Sequence, residues 1–378
     1  MGTGIGVLAG LGHETFVHDP DEAALDAAQE QIGFVLAEGV EKGWSEEEAE
    51  VACNRVLPAP DLADLADCDL VIEAAPEDLA LKRRLFAALA DACGPETILA
   101  TNTSSLRVAE IAAGVPHPER VVGMHFFNPP TKMRLVEVVA TEVASEPALA
   151  AVTAVAERMR RTPIRAKDSP GFVANRLARP FTLESLRMLA EGVADAETID
   201  RVCRLGGGFR MGPFELIDLI GLDVNLSVAR SFYRQGGELE RWRPSPIQER
   251  MVGEGLLGRK SGRGFYEYGD GTHREPDPDV GIEAPTLDPG ALAKIDPAGP
   301  EILPRLIAQI ANEAAFAGEE EIASPADMDT AMRLGFNWPR GPLELTELIG
   351  AERAAALLEE LRTKHGEAYR PAPRLTSA

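Results

Sequence analysis

The strongest constraint on the fold of this sequence is a gapless internal repeat. The stretch that begins at Arg176 aligns with the stretch that begins at Arg305 over 46 residues, at a constant offset of 129. Both stretches have helical periodicity and then a Gly-Pro pair, which starts at Gly212 in the first and at Gly341 in the second. Chance similarity would not keep a helix-breaking pair in register, so the sequence predicts a duplicated helical domain.

The part of the chain before the repeat has a different pattern. Short apolar runs such as CDLVIEAAP, ETILATNTSS and LVEVVA alternate with Ala-, Leu- and Glu-rich stretches of helical periodicity. This alternation is typical of βαβ units. The sequence therefore predicts a Rossmann-like, doubly wound α/β sheet followed by two all-α domains. The expected boundaries are 1–168 for the α/β domain, 169–268 for the first helical domain, 269–300 for a linker rich in Pro, Asp and Gly, and 301–378 for the second helical domain.

The first residues, MGTGIGVLAGLGHETFVHDP, look like the end of a glycine-rich dinucleotide-binding turn that lacks its preceding strand. If Gly2 is the third glycine, the next strand ends at Asp19, whose carboxylate would bind the adenosine ribose. No arginine immediately follows Asp19, so NAD is favoured over NADP. Burial of the missing strand would stabilise the domain by roughly 6–15 kcal/mol, which is comparable with the net stability of a domain. We therefore expect that the natural chain begins roughly 8–12 residues earlier and that Met1 is internal; a flexible N-terminal tail is the alternative.

Composition indicates which kinds of partner are excluded and which cellular compartment is expected. The formal net charge of −23 is spread along the chain and does not come from one acidic tail. Such a charge argues against nucleic acid or an anionic membrane as the main partner. No signal peptide is recognisable, and no apolar run is long enough to span a bilayer. The cysteines have neither paired nor metal-ligand spacing, which predicts reduced thiols, no metal site and a cytoplasmic location. They are Cys53, Cys68, Cys93 and Cys203.

Three segments, NTSSL, MHFFNPPTKMRLVEVV and KDSPGFVANR, place polar side chains beside apolar runs. They contain Ser104, His125, Glu137 and Asn175. A histidine suits the removal of a proton from a secondary alcohol, and a carboxylate on its other ring nitrogen would fix the tautomer. The less specific alternatives are that His125 is structural, that Glu137 faces solvent from an edge strand, and that Ser104 and Asn175 cap helices.

The same segments, in this order, resemble the L-3-hydroxyacyl-CoA dehydrogenase family, which includes 3-hydroxybutyryl-CoA dehydrogenases. The resemblance extends from Met1 to about Tyr268 and also includes GGGFRMGPFELIDLIGLD and GRKSGRGFYEY. The repeat after the linker is similar to the doubled C-terminal domain of longer members and of multifunctional fatty-oxidation proteins. The resemblance implies NAD-dependent interconversion of (S)-3-hydroxyacyl-CoA and 3-oxoacyl-CoA.

The resemblance also implies roles for individual residues. His125 would be the general base, Glu137 would orient it, and Ser104 and Asn175 would bind the 3-oxygen of the substrate. Lys42 would bind the CoA phosphates, although a solvated surface lysine is an equally good interpretation. Contact with NAD is implied for Gly2, Asp19, Glu77, Lys82, Ser104 and Asn128.

The second copy departs from the first at the position of Asn175, where it has Pro304. Proline has no side-chain donor, so we expect a packing role for this copy. Family members with one helical domain dimerise through it, and the resemblance therefore implies a homodimer or a monomer with an intramolecular pseudo-dimer. The expected partner is an acyl-CoA thioester. A cofactor-defective acyl-CoA-binding or structural paralogue is the alternative function, and the truncated start is the feature that favours it.

Overall fold

The structure, a computed structural model, describes residues 1–41, 43–269, 273–274 and 276–376. The chain divides into two compact units, Met1–Phe172 and Val173–Ala378. The first unit is α/β and the second is helical, which confirms the predicted order of the two classes. None of the helices in these described ranges combines the length and the apolar character needed to cross a membrane.

The described residues of the first unit form seven strands in two sheets. A two-stranded parallel sheet pairs β1 with β2, and a five-stranded sheet has the order β3-β4-β5-β6-β7. Only the β5–β6 pair in the larger sheet is antiparallel. The strands are β1 (Thr15–His18), β2 (Val56–Ala59), β3 (Leu70–Glu73), β4 (Ile98–Thr101), β5 (Val121–Phe126), β6 (Leu135–Ala140) and β7 (Thr162–Lys167).

Six helices accompany these strands in the range that the structure describes. Ser45 caps one of them in a capping box with Glu48, as the spacing of the two residues predicts. The helices are α1 (Gly2–Gly10), α2 (Glu22–Glu41), α3 (Glu46–Arg55), α4 (Leu79–Ala92), α5 (Val108–Ala112) and α6 (Glu146–Arg158). Short 3₁₀ turns occur at Leu62–Leu65 and Pro118–Arg120.

Helix α1 contributes to two apolar cores in the first unit. Ile5 and Leu8 belong to the core that contains Met124 of β5 and Val138 of β6. Val7 belongs instead to a core with residues of α2, α3 and β2. The structure opens with α1, so the strand predicted ahead of Gly2 stays a prediction.

Twelve helices make up the second unit, counted over residues 173–269, 273–274 and 276–376. They are α7 (Ala174–Leu177), α8 (Arg179–Glu191), α9 (Ala196–Leu205), α10 (Pro213–Ile220), α11 (Leu222–Gln235), α12 (Pro246–Gly253), α13 (Pro289–Ile295), α14 (Gly299–Glu319), α15 (Pro325–Gly335), α16 (Pro342–Ile349), α17 (Ala351–His365) and α18 (Pro373–Thr376). The repeat relates α7–α8 to α14, α9 to α15, α10 to α16 and α11 to α17. The structure gathers both copies into one compact unit, whereas the sequence predicts two helical domains.

The reason for this difference is a buried ionic contact between the copies. Arg176 lies in α7, and its Nε donates to Glu313 of α14 at 2.7 Å. Its two terminal nitrogens donate to Glu320 at 2.7 and 2.9 Å. Local periodicity does not reveal such a contact, because the partners are more than 130 residues apart.

The same contact occurs a second time with the roles of the copies exchanged. Arg305, the repeat equivalent of Arg176, donates through Nε to Glu184. It also donates to both carboxylate oxygens of Glu191, at 2.7 and 2.9 Å. Such reciprocal pairing is characteristic of a two-fold interface, here formed within one chain.

The predicted linker is more structured than its composition indicates. It includes the helix α13 and the start of α14. Asp277 pairs with Arg204 of α9 at 2.8 and 2.7 Å, which attaches this segment to the first helical copy. Prolines at the start of helices, such as Pro289, explain why a Pro-rich composition is compatible with helix here.

Candidate active site

The centre of the candidate site is a buried pair, His125 and Glu137. These residues lie directly opposite each other in the antiparallel β5–β6 ladder, so their side chains share one face of the sheet. His125 Nδ1 is 2.6 Å from Glu137 Oε2. A carboxylate can only accept a hydrogen bond, so Nδ1 of His125 carries a hydrogen and donates a hydrogen bond to Glu137. Nε2 of His125 is thereby left as the basic nitrogen.

The surroundings of the pair exclude one alternative for Glu137. Its side chain is 0% exposed, and its strand lies between β5 and β7, so it is not a solvated carboxylate on an edge strand. The ring of Phe127 lies 4.7 Å from the imidazole of His125, and the ring of Phe172 lies 5.8 Å away. A carboxylate in such a place is expensive to bury without a hydrogen-bonded partner, which His125 provides.

A second carboxylate, that of Glu77, organises the loop after β4. Its Oε1 accepts hydrogen bonds from Thr103 Oγ1 at 2.7 Å and from the backbone N–H groups of Ser104 and Ser105, each at 2.9 Å. Burial raises the pKa of Glu77, but these bonds and the charge of Lys82 outweigh it, so the pKa lies below its ordinary value. Glu77 is therefore ionised at neutral pH and holds Ser104 in place.

Lys82 lies under this loop and is 1% exposed. Its Nζ donates to Glu73 Oε1 at 2.7 Å and lies 3.4 Å from Glu77 Oε2. Glu73 also accepts from Thr101 Oγ1 at 2.6 Å. Sequence reasoning missed Glu73, although a lone acid at the end of the apolar run LVIE was an available signal.

Two further residues that were not predicted to bind ligands brace the five-stranded sheet and the start of α5. Asn102 Oδ1 accepts from the N–H of Phe126 at 2.7 Å, which ties the end of β4 to the end of β5. Asp168, from the segment KDSPGF, accepts from the N–H groups of Val108 and Ala109 at the start of α5. The motif that contains Asp168 thus has a structural part as well as the proposed ligand-binding one.

The remaining predicted NAD contacts lie at several chain positions in the first unit. Gly2 is exposed at the first turn of α1, and a Cβ there would lie 3.9 Å from Ala74, which follows β3. Asp19 follows β1, and its Oδ1 accepts from the N–H of Asp21. Asn128 lies in the exposed turn after β5. A helix N-terminus and carboxylates at strand ends fit the pyrophosphate and ribose groups of a dinucleotide.

Asn175 lies in the second compact unit, where it is half-buried in α7. Its repeat equivalent, Pro304, is buried inside α14. The prediction for Lys42 lies outside the described residues. The structure therefore joins His125 to Glu137 and Ser104 to Glu77 by direct hydrogen bonds, and the catalytic and ligand-binding roles of all these residues stay predictions.

Both units of the chain match known protein families. Residues 1–169 match the family described as 3-hydroxyacyl-CoA dehydrogenase, NAD binding domain. Residues 171–268 and 302–378 each match the family described as 3-hydroxyacyl-CoA dehydrogenase, C-terminal domain. The chain belongs to the 3-hydroxyacyl-CoA dehydrogenase family. The first unit of this dehydrogenase is accordingly a Rossmann-like NAD-binding domain, and NAD is its cofactor.

Individual relatives agree with this assignment. A 3-hydroxyadipyl-CoA dehydrogenase of Escherichia coli K12 is 36% identical, over 98% of this chain and 94% of the relative. A probable 3-hydroxybutyryl-CoA dehydrogenase of Deinococcus radiodurans is 41% identical, over 71% of this chain and 96% of the relative. The crystal structure of a 3-hydroxybutyryl-CoA dehydrogenase from Escherichia coli K12 has a TM-score of 0.90 and 34% identity, and the match covers 100% of this chain and 95% of that one.

Proposed function

We propose that this dehydrogenase catalyses the NAD-dependent oxidation of (S)-3-hydroxyacyl-CoA to 3-oxoacyl-CoA and the reverse reduction. The observation that carries the proposal is the buried hydrogen bond between His125 and Glu137. A buried imidazole with one nitrogen committed to a carboxylate is suited to accept a proton at the other nitrogen. Family membership gives the class of substrate on which this pair would act.

In the oxidation direction, Nε2 of His125 takes the proton of the 3-hydroxyl group. NAD, when bound, supplies the nicotinamide ring that accepts the hydride from carbon 3. Glu137 does not take up the proton; its charge stabilises the imidazolium that forms and holds the ring in one tautomer. In the reduction direction, the same imidazolium returns its proton to the 3-oxygen.

Ser104 and Asn175 hold the 3-oxygen in this proposal, and Glu77 acts as a positioning residue for Ser104. The support for Glu77 is its three-way anchoring of the loop that contains Ser104. Contacts with NAD are proposed for Gly2, Asp19, Glu77, Lys82, Ser104 and Asn128, and Lys42 is proposed for the CoA phosphates. The first two fit a pyrophosphate and a ribose, and Lys82 holds the carboxylates of Glu73 and Glu77 in place.

The assay is oxidation of NADH by acetoacetyl-CoA, followed by the loss of near-ultraviolet absorbance. The wild-type chain should turn over, and His125→Ala should lower kcat by several orders of magnitude with NADH affinity nearly unchanged. An acyl-CoA-binding paralogue without catalytic activity is the rival. Acetoacetyl-CoA binding without any NADH oxidation would favour that rival.

The oligomeric state of the enzyme is the finer part of the proposal. The reciprocal contacts of Arg176 and Arg305 support a monomer in which the second helical copy takes the place of a partner subunit. Sedimentation velocity should give the mass of one chain. A tight dimer at micromolar concentration would favour the homodimer instead.

The names of the relatives offer two candidates for the acyl group of the substrate. One relative is named for 3-hydroxybutyryl-CoA, whose acyl chain ends in a methyl group, and another for 3-hydroxyadipyl-CoA, whose acyl chain ends in a carboxylate. A specific observation favours a carboxylate-bearing substrate. It is the environment of Arg179 in the helical unit.

A further inference from the structure

Arg179 is a buried arginine that forms no ion pair with a carboxylate of the described residues. It is the first residue of α8 and is 5% exposed. Neither Nε nor Nη1 has a hydrogen-bond partner in the part of the chain that the structure describes. The guanidinium carbon lies 5.6 Å from the centroid of the Phe232 ring. Burial lowers the pKa of Arg179 to about 10, so the side chain is still charged at neutral pH.

Other buried arginines of the helical unit behave differently. Arg176 and Arg305 each bind two glutamates, and Arg204 binds Glu215 and Asp277. A buried cation is costly unless an anion and hydrogen-bond acceptors compensate it. The guanidinium of Arg179 presents a planar fork of donors that matches a carboxylate. An anion from outside the chain is the partner that this environment lacks.

The position of Arg179 relative to Asn175 indicates which anion it would bind. The N–H of Leu177 donates to the carbonyl of Val173, and the N–H of Ala178 to that of Ala174, each at 3.0 Å, so helical bonding continues from α7 towards α8. Residues four apart in a helix lie on one face, with Cβ atoms about 5–6 Å apart. Arg179 is thus one turn beyond the residue proposed to bind the 3-oxygen.

The repeat provides an internal comparison. At the positions of Asn175 and Arg179 the second copy has Pro304 and Ala308. Both polar side chains are therefore absent together from the copy to which a packing role is assigned. A ligand shared by Asn175 and Arg179 explains this joint loss.

We propose that Arg179 binds the terminal carboxylate of a dicarboxylic 3-hydroxyacyl-CoA substrate. The inference rests on the proposed function, in which Asn175 binds the 3-oxygen of the same molecule. In a six-carbon acyl chain, three bonds separate carbon 3 from the terminal carboxyl carbon, a distance of about 4 Å. A carboxylate at that distance lies within reach of a residue one helical turn away. The chemical class is therefore an acyl-CoA with an acid group at carbon 6.

The test compares two substrates of equal length, 3-hydroxyadipyl-CoA and 3-hydroxyhexanoyl-CoA, which differ only in the terminal carboxylate. The wild-type enzyme should prefer the first in kcat/KM. Arg179→Met should lower kcat/KM for the carboxylated substrate about 30- to 1000-fold, the range expected when one partner of a buried charged pair is lost. The same variant should change kcat/KM for 3-hydroxyhexanoyl-CoA less than about 3-fold. Arg179→Lys should retain part of the preference.

Controls separate binding from folding. Arg230→Met removes an exposed arginine of α11 and should leave the substrate preference unchanged. Arg179→Met should melt no lower than the wild type, because it removes an uncompensated buried charge. If Arg179→Met aggregates, the preference of Arg179→Gln serves as the readout.

Two outcomes would overturn the inference. One is a wild-type enzyme that does not prefer the carboxylated substrate, and the other is an equal loss on both substrates in the Arg179 variants. A wild-type chain that oxidises neither substrate would instead overturn the proposed function. Failure of the inference and failure of the function are thus distinguishable in one set of assays.

Discussion

Replacement of Glu137 by glutamine tests the catalytic pair directly. The side chain of Glu137 is fully buried and accepts a hydrogen bond from Nδ1 of His125 at 2.6 Å. Glutamine has nearly the same volume, and its amide oxygen can accept the same bond. Glu137→Gln therefore removes the negative charge and leaves the packing of β5 on β6 intact.

The magnitude follows from the distance between the charges. With a contact of 2.6 Å between nitrogen and oxygen, the centres of the imidazolium and the carboxylate are about 4 Å apart, and their attraction is about 4 kcal/mol at an effective dielectric constant of about 20. Each ~1.4 kcal/mol corresponds to a tenfold change in rate. Since the imidazolium is only partly formed in the transition state, we expect kcat to fall about 30- to 1000-fold.

The assay is steady-state kinetics in both directions with saturating NAD or NADH. Both directions share one transition state, so both should slow. The matched control is Glu142→Gln, an exposed glutamate just after β6, which should retain wild-type kcat. Binding of NADH, followed by fluorescence, and the melting temperature should be close to wild type in both variants. A fall in kcat of less than about 5-fold in folded Glu137→Gln would refute the role of this carboxylate.

Three further predictions concern stability and are all measured by urea unfolding. Arg305→Met removes one of the two guanidinium groups that bind the buried carboxylate of Glu184, the other being that of Arg187, so the free energy of unfolding should fall by about 2 kcal/mol; a loss below about 1 kcal/mol would contradict the reciprocal contact. Gly212→Ala would place a Cβ 2.2 Å from Asp200 Cγ, so the free energy of unfolding should fall by about 1–3 kcal/mol. Gly33→Ala is the matched control, because no atom lies within 4 Å of the new Cβ. It should stabilise α2 by about 0.5–1 kcal/mol. Burial raises the pKa of Asp200 to about 7 from an ordinary 3.8, so the folded chain binds a proton that the unfolded chain releases, and the free energy of unfolding should decrease as pH rises between these values. Asp200→Asn should remove that part of the slope, and an unchanged slope would show that Asp200 does not titrate there.

The structure adds two features of the second half of the chain that the sequence pattern does not reveal. The predicted linker reads as irregular from its Pro, Asp and Gly content, yet it includes α13 because Asp288 caps a helix whose first residue is Pro289. The separation into two helical domains stays a prediction, because the structure holds both copies in one compact unit. Contacts such as that between Arg176 and Glu313 join the copies through buried charges, and no local pattern specifies them.

The sequence by itself determined the periodicities and their order: the apolar runs CDLVIEAAP, ETILATNTSS and LVEVVA contain β3, β4 and β6, and the repeat became corresponding sets of helices. It also placed a histidine and a glutamate twelve residues apart in two neighbouring runs. Side-chain period is a local property of the backbone, which is why these features can be read directly. Only the tertiary structure decided that His125 faces Glu137, that Lys82 is committed to Glu73, and that Arg179 has no acid beside it in the described part of the chain. Partners of buried charges are chosen by ladder register and helix packing, and these depend on residues far apart in the chain.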